Sequence, residues 1–141
     1  MSKDDIKEDR LDGWIYSKIV EDHFFNPRNV LLDDQKEGDF DAIGVIGSPA
    51  CGDVMKVYLK IRDDIIMDFK WKTFGCASAI ASTSVLSEMV VGKSIEEAYK
   101  IGARQIIEVL GGLPPKKIHC SIMGDRALRL AIDDYKERNR S

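Results

Sequence analysis

The spacing of hydrophobic positions changes along the chain, and each change predicts a different element. After Gly13, apolar residues recur at helical spacing and predict an amphipathic helix to about Phe25. The residues that form its apolar face are Trp14, Ile15, Ile19, Val20 and Phe24. The helix is expected to end at Asn26-Pro27, because the residue before a proline is displaced from helical geometry. A polar loop is predicted from there to Asp41.

Two later segments alternate between apolar and polar residues and predict an antiparallel hairpin. The shared faces are formed by Met55, Val57, Leu59 and Ile61 in the first segment, and by Ile65, Met67, Phe69 and Trp71 in the second. The turn between them contains Asp63-Asp64. A third strand is predicted at residues 43–46, since an isolated hairpin is only marginally stable.

Helical spacing returns after Ser78 and persists to the end of the chain. One helix is predicted from Ser78 to the C-cap Gly92, with a buried stripe formed by Ala79, Ser82, Leu86, Met89 and Val90. Ser94 and Glu97 form a capping box that opens a short helix, and a further helix is expected to stop at Gly111. The last helix has a buried side consisting of Leu128, Ala131, Ile132 and Tyr135.

These elements predict an α+β fold in which a small three-stranded antiparallel sheet packs against about five helices. Residues 1–12 are expected to be a flexible N-terminal segment, because most of the first ten residues are charged. Residues 13–141 are predicted to form a single domain, which is long enough to bury roughly 70% of its unfolded surface.

Composition narrows the functional classes. Hydrophobic residues make up 44% of the chain and charged residues 32%, which is typical of a globular protein. No apolar run approaches the roughly 20 residues of a membrane span, and the charged N-terminus does not resemble a signal peptide, so a cytoplasmic protein is expected. The net charge of -3, with Lys and Arg interspersed among Asp and Glu, argues against a nucleic-acid partner.

The chain contains three cysteines, an odd number that argues against a disulfide framework and favours reduced thiols. The count alone favours packing, since free cysteine is often buried and behaves as a small hydrophobe. The positions of the three cysteines at the ends of predicted elements favour a functional role. Cys51 precedes the hairpin, Cys76 lies between a strand and a helix, and Cys120 lies at the start of the last helix, where functional groups are usually displayed.

The residues next to these cysteines add further candidate ligands. Asp53 follows Cys51 closely and is a candidate carboxylate ligand, although an aspartate here is also typical of a simple turn. Cys76 is expected at a helix N-terminus, where the dipole favours the thiolate. His119 adjoins Cys120 and offers an imidazole. Three thiolates with one nitrogen or oxygen suit zinc or an iron-sulfur cluster, although the cysteines are too far apart in sequence to form C-x-x-C pairs.

Three motifs closely resemble the IscU/NifU-type iron-sulfur cluster scaffold family. They are GSPACGDVM at residues 47–55, WKTFGCASAIASTS at residues 71–84 and LPPKKIHCSIMG at residues 113–124. The resemblance also includes HFFNPRN at residues 23–29 and covers nearly the whole chain. The sequences of these motifs are similar to those of the N-terminal domain of NifU, and a stand-alone scaffold is expected.

The resemblance implies that Cys51, Cys76 and Cys120 hold a transient 2Fe-2S cluster, with Asp53 or His119 as the fourth ligand. The same site is expected to bind iron, and it can take zinc in the cluster-free state. Cys120 is the residue expected to receive sulfur, and Asp53, as a harder and weaker ligand, is expected to aid release. This makes the protein a scaffold and carrier rather than an enzyme.

The alternative is a zinc-containing sulfurtransferase that accepts persulfide, similar to SufU. The His119-Cys120 pair and the absence of an insertion between the hairpin and Gly92 disfavour it. A third interpretation, a domain whose cysteines only pack, is the weakest of the three.

The resemblance also implies partners: a cysteine desulfurase, a ferredoxin-type electron donor, acceptor apoproteins and, through the loop formed by Leu113, Pro114, Pro115, Lys116 and Lys117, an Hsp70-type chaperone. The family commonly has valine where Lys116 stands, and a rigid solvated loop would have the same composition. The protein is expected to be a monomer or a cluster-bridged homodimer, and Tyr16 resembles a residue linked to dimerisation.

Ala77 replaces the family's usual glycine beside Cys76, so cluster lability could differ.

Overall fold

A computed structural model describes residues 17–32, 35–48, 53–112 and 118–139. The helices in this part of the chain are α1 (Lys18–Phe25), α2 (Ala77–Val90), α3 (Ile95–Tyr99), α4 (Ala103–Leu110) and α5 (Ile118–Arg138). The strands are β1 (Ala42–Ser48), β2 (Asp53–Arg62) and β3 (Ile65–Phe74). They form one antiparallel sheet in the order β1-β2-β3. The predicted α+β class, with three strands and about five helices, is confirmed.

Helix α1 ends where the sequence predicts but begins later. Its last residue is Phe25, and Asn26 is the C-cap before Pro27. Its start was predicted at Gly13, yet Ser17 has extended geometry and acts as the N-cap, with its hydroxyl oxygen accepting a hydrogen bond from Val20 N at 3.1 Å. A serine in this position stabilises a helix start, and the apolar spacing alone did not reveal it. The predicted residues before Ser17 lie outside the described part.

The hairpin carries a β-bulge that the alternating pattern did not reveal. Lys60 pairs with Asp68, whereas the next residue, Ile61, pairs with Ile66. Met67 is therefore an extra residue in β3, and the bulge reverses the faces of the residues before it. Ile66 is fully buried and Met67 is 55% exposed. The prediction that Ile65 and Met67 share one face with Phe69 and Trp71 is wrong for this reason, since Ile66 takes their place on that face.

The segment before β1, predicted to be a polar loop, also packs on the sheet. Leu31 and Phe40 are buried against Tyr58 on the side of the sheet that faces away from the main core. The Tyr58 hydroxyl donates to Glu37 Oε1 at 3.0 Å, and burial together with the Glu37 carboxylate raises the pKa of Tyr58 to about 12. Leu31 N also donates to Trp71 O at 2.9 Å. This segment therefore covers part of the second face of the sheet.

Helix α2 is buried almost all round, not along the single predicted stripe. It contacts α1, α4, α5 and β3, so it has no broad solvent face. Its buried residues include five with hydroxyl groups, namely Ser78, Ser82, Thr83, Ser84 and Ser87. Buried hydroxyls need hydrogen-bond partners inside the protein. Ser84 and Ser87 find theirs in α1 and the segment that follows it, at His23, Arg28 and Asn29, and so tie α2 to this part of the chain.

Helix α5 packs across β1 and β2 with very close backbone contact. Ala127 and Ala131 lie over Gly44 in the middle of β1, where no side chain separates helix from strand. Near the start of β1, Ile43 N donates to Asp134 Oδ2 at 2.9 Å. The predicted buried side of this helix is confirmed for Leu128, Ala131 and Ile132, while Tyr135 is half-buried. No helix in the described part is long and apolar enough to cross a membrane.

Replacing Gly44 with alanine should destabilise the protein by about 1–3 kcal/mol, because overpacking displaces closely packed elements. A Cβ at this position would lie 2.2 Å from Ala127 O and 2.6 Å from Ala131 N. Gly38→Ala is the matched control, since its Cβ would meet nothing within 4 Å. Denaturant unfolding measures both variants, and equal stability of the two would contradict the packing described here.

His23 joins α1 to α2 in a buried polar contact. Its Nδ1 lies 2.7 Å from Ser84 Oγ, and its Nε2 lies 3.4 Å from Glu88 Oε1. Burial, helped by the charge of Arg28, lowers the pKa of His23, while Glu88 and Asp22 act in the opposite direction. His23 thus joins the two helices through Ser84 and Glu88 of α2.

Acidification should destabilise the protein through His23. Its pKa in the folded protein is below the ordinary value of 6.5, so the unfolded chain takes up a proton at a higher pH than the folded protein. The free energy of unfolding should therefore fall as the pH drops below about 6.5. Denaturant unfolding across this range should show a flatter pH dependence for His23→Gln, and identical slopes for the two proteins would contradict this assignment.

Candidate metal centre

The connection between β1 and β2 lies at one end of the sheet. Ser48 and Asp53 are paired in the antiparallel register, so the four residues between them leave and re-enter the sheet at this end. Cys51 belongs to that connection and lies outside the described residues. The backbone of Asp53 is described as the first residue of β2, whereas its side chain is not. The first motif is therefore tied to this end of the sheet by strand pairing.

Cys76 reaches the same end from the neighbouring strand. Phe74, the last residue of β3, is paired with Val54, so Gly75 and Cys76 follow directly beyond the position of Asp53. Cys76 is the N-cap of α2, as the sequence predicted, and its backbone is extended, with φ -78° and ψ 173°. Its side chain is partly exposed and does not cap the helix.

The start of α5 approaches this end as well. A Cβ on Gly124 would lie 3.8 Å from Met55 Sδ, two residues into the sheet from Asp53. Later residues of α5 lie over positions farther from this end. Cys120 precedes Gly124 by about one helical turn, or roughly 6 Å of helix length, with His119 beside it. The backbone path therefore brings both residues to the end of the sheet where Asp53 lies.

The structure thus brings together the places where the candidate ligands are attached, and it describes the side chain of only one of them. Cys51 and the side chains of Asp53, His119 and Cys120 lie outside the described part, so their contacts remain predictions. Among the residues that are described, no three His, Cys, Asp or Glu side chains surround a metal-sized site.

Electrostatics at this end favour negatively charged ligands. Helices α2 and α5 both begin here, and the N-terminus of a helix carries unpaired N–H groups and the positive end of its dipole. Cys76 and Cys120 lie at these two helix starts. A thiolate in such a position is stabilised relative to the thiol, and thiolate is the form that binds metal.

Asp125 and Arg129 hold the first half of α5 in place. Arg129 Nη1 lies 2.9 Å from Asp125 Oδ2, and its other nitrogens donate to the backbone oxygens of Tyr99 and Ile101 at 3.1 and 2.9 Å. Burial raises the pKa of Asp125 against the opposing effect of Arg129. These bonds fix α5 to the connection between α3 and α4 and so orient the part of the helix that carries Cys120.

Ser78 is a site residue that the sequence argument missed. Its Oγ lies 3.0 Å from Cys76 Sγ, and the residue is fully buried. Its place two residues after a helix-starting cysteine was the available signal. Ala77, the departure from the family's glycine, is buried as the first residue of α2 and has no positive φ, so the helix accommodates it. Tyr16 and the loop at residues 113–117 lie outside the described part.

Known proteins are similar to this chain over all of the helices and strands described above. The family model described as NifU-like N terminal domain matches residues 15–141. The iron-sulfur cluster assembly scaffold protein IscU 1 of Archaeoglobus fulgidus is 51% identical over 125 residues, which are 89% of this chain and 79% of that protein. The scaffold protein IscU of Escherichia coli K12 is 50% identical over 124 residues, which are 87% of this chain and 95% of that protein.

A solved structure shows the same fold. The crystal structure of a nitrogen-fixing NifU-like protein (N-terminal) from Brucella abortus superposes with a TM-score of 0.66. The aligned region covers 86% of this chain and 94% of that chain, at 21% sequence identity. The arrangement of three strands and the surrounding helices is therefore shared with an experimentally determined structure.

Proposed function

Because the chain belongs to the NifU-like N-terminal domain family, we propose that it is a scaffold on which a transient 2Fe-2S cluster is assembled and from which it passes to acceptor apoproteins. The observation that carries this proposal is the meeting of three cysteine-bearing segments at one end of the sheet. They are the β1–β2 connection, the start of α2 and the start of α5.

The proposed ligands are the thiolates of Cys51, Cys76 and Cys120, with Asp53 or His119 as the fourth. The donor set fits the cargo, since thiolates are the usual protein ligands of iron-sulfur clusters and also bind zinc. A fourth ligand that is harder than thiolate forms a weaker bond to the cluster. Such a mixed set suits a protein that must release what it binds.

Sulfur is proposed to arrive at Cys120. Its thiolate attacks the outer sulfur of a persulfide on a cysteine desulfurase, the sulfur–sulfur bond of that persulfide breaks, and the desulfurase cysteine leaves as a thiolate. Cys120 then carries the persulfide. Conversion of its outer sulfur to sulfide takes two electrons, which a ferredoxin-type donor supplies. The neighbouring His119 and the N-terminus of α5 favour the thiolate that begins this sequence.

The remaining parts of the proposal concern assembly. The chain acts as a monomer or a cluster-bridged homodimer, and the loop from Leu113 to Lys117 is a docking segment for an Hsp70-type chaperone. Residues 13–141 form the proposed scaffold domain, and the segment predicted at residues 1–12 lies outside the described residues. No catalytic turnover of a small molecule is proposed, since the relatives are named as scaffold proteins.

Anaerobic reconstitution tests the proposed function. With iron, L-cysteine and a cysteine desulfurase, the protein should develop the visible absorption of a 2Fe-2S cluster and convert an apo-ferredoxin to its holo form. Cys51→Ser, Cys76→Ser and Cys120→Ser should each bind far less cluster while remaining folded by circular dichroism. Tight zinc binding with persulfide relay, and no transferable cluster, would instead identify the zinc-containing sulfurtransferase.

Asp53→Ala should slow cluster release by several-fold and leave more cluster on the scaffold. The physical reason is that a carboxylate is a weaker ligand than thiolate for a thiophilic cluster and is exchanged more readily. Transfer to apo-ferredoxin, followed by circular dichroism in the visible range, measures the rate. Asp39→Ala, in the exposed turn before β1, is the matched loss of a carboxylate. Equal transfer rates for wild type and Asp53→Ala would refute the role.

A further inference from the structure

The contact between Ser78 and Cys76 is built into the first turn of α2. Cys76 is the N-cap and Ser78 is the second residue of the helix, so the helical backbone fixes the position of the hydroxyl relative to the sulfur. The two atoms are 3.0 Å apart, and Ser78 is fully buried. A buried hydroxyl cannot exchange its partner for solvent. The sulfur therefore has a buried polar neighbour at hydrogen-bond distance.

Three other hydroxyls of α2 bond to carbonyl groups within the helix, and one of them, Thr83 Oγ1, also lies 3.3 Å from Met55 Sδ. Ser82 and Thr83 donate to Ala79 O at 3.2 and 2.7 Å, and Ser87 donates to Ser84 O at 2.6 Å. These are bonds to carbonyl groups one turn earlier, which is the usual arrangement within a helix. Ser78 is in the first turn, so no helical turn precedes it. Its Oγ lies beside a cysteine sulfur instead, and either atom can be the donor.

We infer that Ser78 is a positioning residue for the cluster ligand Cys76, holding its sulfur by an O–H···S hydrogen bond. This inference rests on the proposed function. Once Cys76 is a thiolate bound to iron, its sulfur can only accept, so the serine hydroxyl is the donor. The bond fixes the direction from which Sγ approaches the metal. It also withdraws electron density from the sulfur.

The withdrawal of electron density from the Cys76 sulfur has a measurable consequence. Hydrogen bonds to cysteine sulfurs are among the factors that set the reduction potentials of iron-sulfur clusters. A donor at the sulfur stabilises the more negatively charged, reduced cluster. Loss of the Ser78 hydroxyl should therefore make the reduction potential more negative and move the sulfur-to-iron charge-transfer absorption to longer wavelength.

The test compares Ser78→Ala with Ser82→Ala. Both variants remove one fully buried hydroxyl from the same helix, one turn apart, but the hydroxyl of Ser82 bonds to a backbone oxygen. Clusters are formed anaerobically from iron and sulfide on wild type and on both variants, and their potentials and visible spectra are recorded. Circular dichroism of the apo proteins verifies that the variants remain folded.

A shift of potential and spectrum in Ser78→Ala, with Ser82→Ala matching wild type, is the expected result. Identical values for Ser78→Ala and wild type, or equal shifts in both variants, would overturn the positioning role and leave the scaffold function intact. Failure of the wild-type protein to form any cluster would overturn the proposed function, and this inference with it. The two failures are therefore distinguishable.

Discussion

The close packing of α5 on β1 at Gly44 is the contact on which the rest of the structure depends. Ala127 and Ala131 approach the strand so closely that no side chain fits between them. Small residues on both elements fix the distance between helix and sheet and the position of the helix along the strand. Because a helix is rigid over one or two turns, this contact also sets where Cys120 lies. The candidate metal centre is thus assembled from a distance by packing in the core.

Packing in the core also fixes the position of α2, whose start carries Cys76. This helix is enclosed by α1, α4, α5 and β3, and its hydroxyl groups find partners within the protein. Ser84 illustrates the arrangement, since its Oγ accepts from Arg28 N at 2.9 Å and lies 2.7 Å from His23 Nδ1. A helix held on all sides presents its first turn in a defined place. The cysteine at that turn is consequently ordered by contacts several residues away from it.

Local sequence patterns were sufficient for most elements but not for their long-range relations. The hairpin, the strand β1 and the capping box of Ser94 each depend on residues close in sequence, and each is observed. The bulge at Met67 breaks the alternation and is visible only in the pairing of two strands. The burial of Tyr58 under a segment expected to be polar loop depends likewise on tertiary contacts. Periodicity carries no information about either feature.

The candidate site likewise has features that the sequence could predict and features that depend on tertiary structure. Its cysteines could be named from their positions at element ends, from their neighbours and from the motif wording, and the helix start at Cys76 is observed. Their separation in sequence could not predict that three segments meet at one end of the sheet, since that follows from strand register and from the placement of α5. Ser78 was overlooked because its contact with sulfur depends on side-chain geometry.

Cadmium titration most directly tests the central claim that Cys51, Cys76 and Cys120 lie within reach of one metal ion. Cadmium binds thiolates, and its sulfur-to-metal absorption in the ultraviolet scales with the number of thiolates bound. A shared site should saturate at one Cd²⁺ per chain with three thiolates, and each single cysteine-to-serine variant should lose about one third of the absorption. Unchanged absorption in any one of the three variants would show that the cysteine is not part of the shared site.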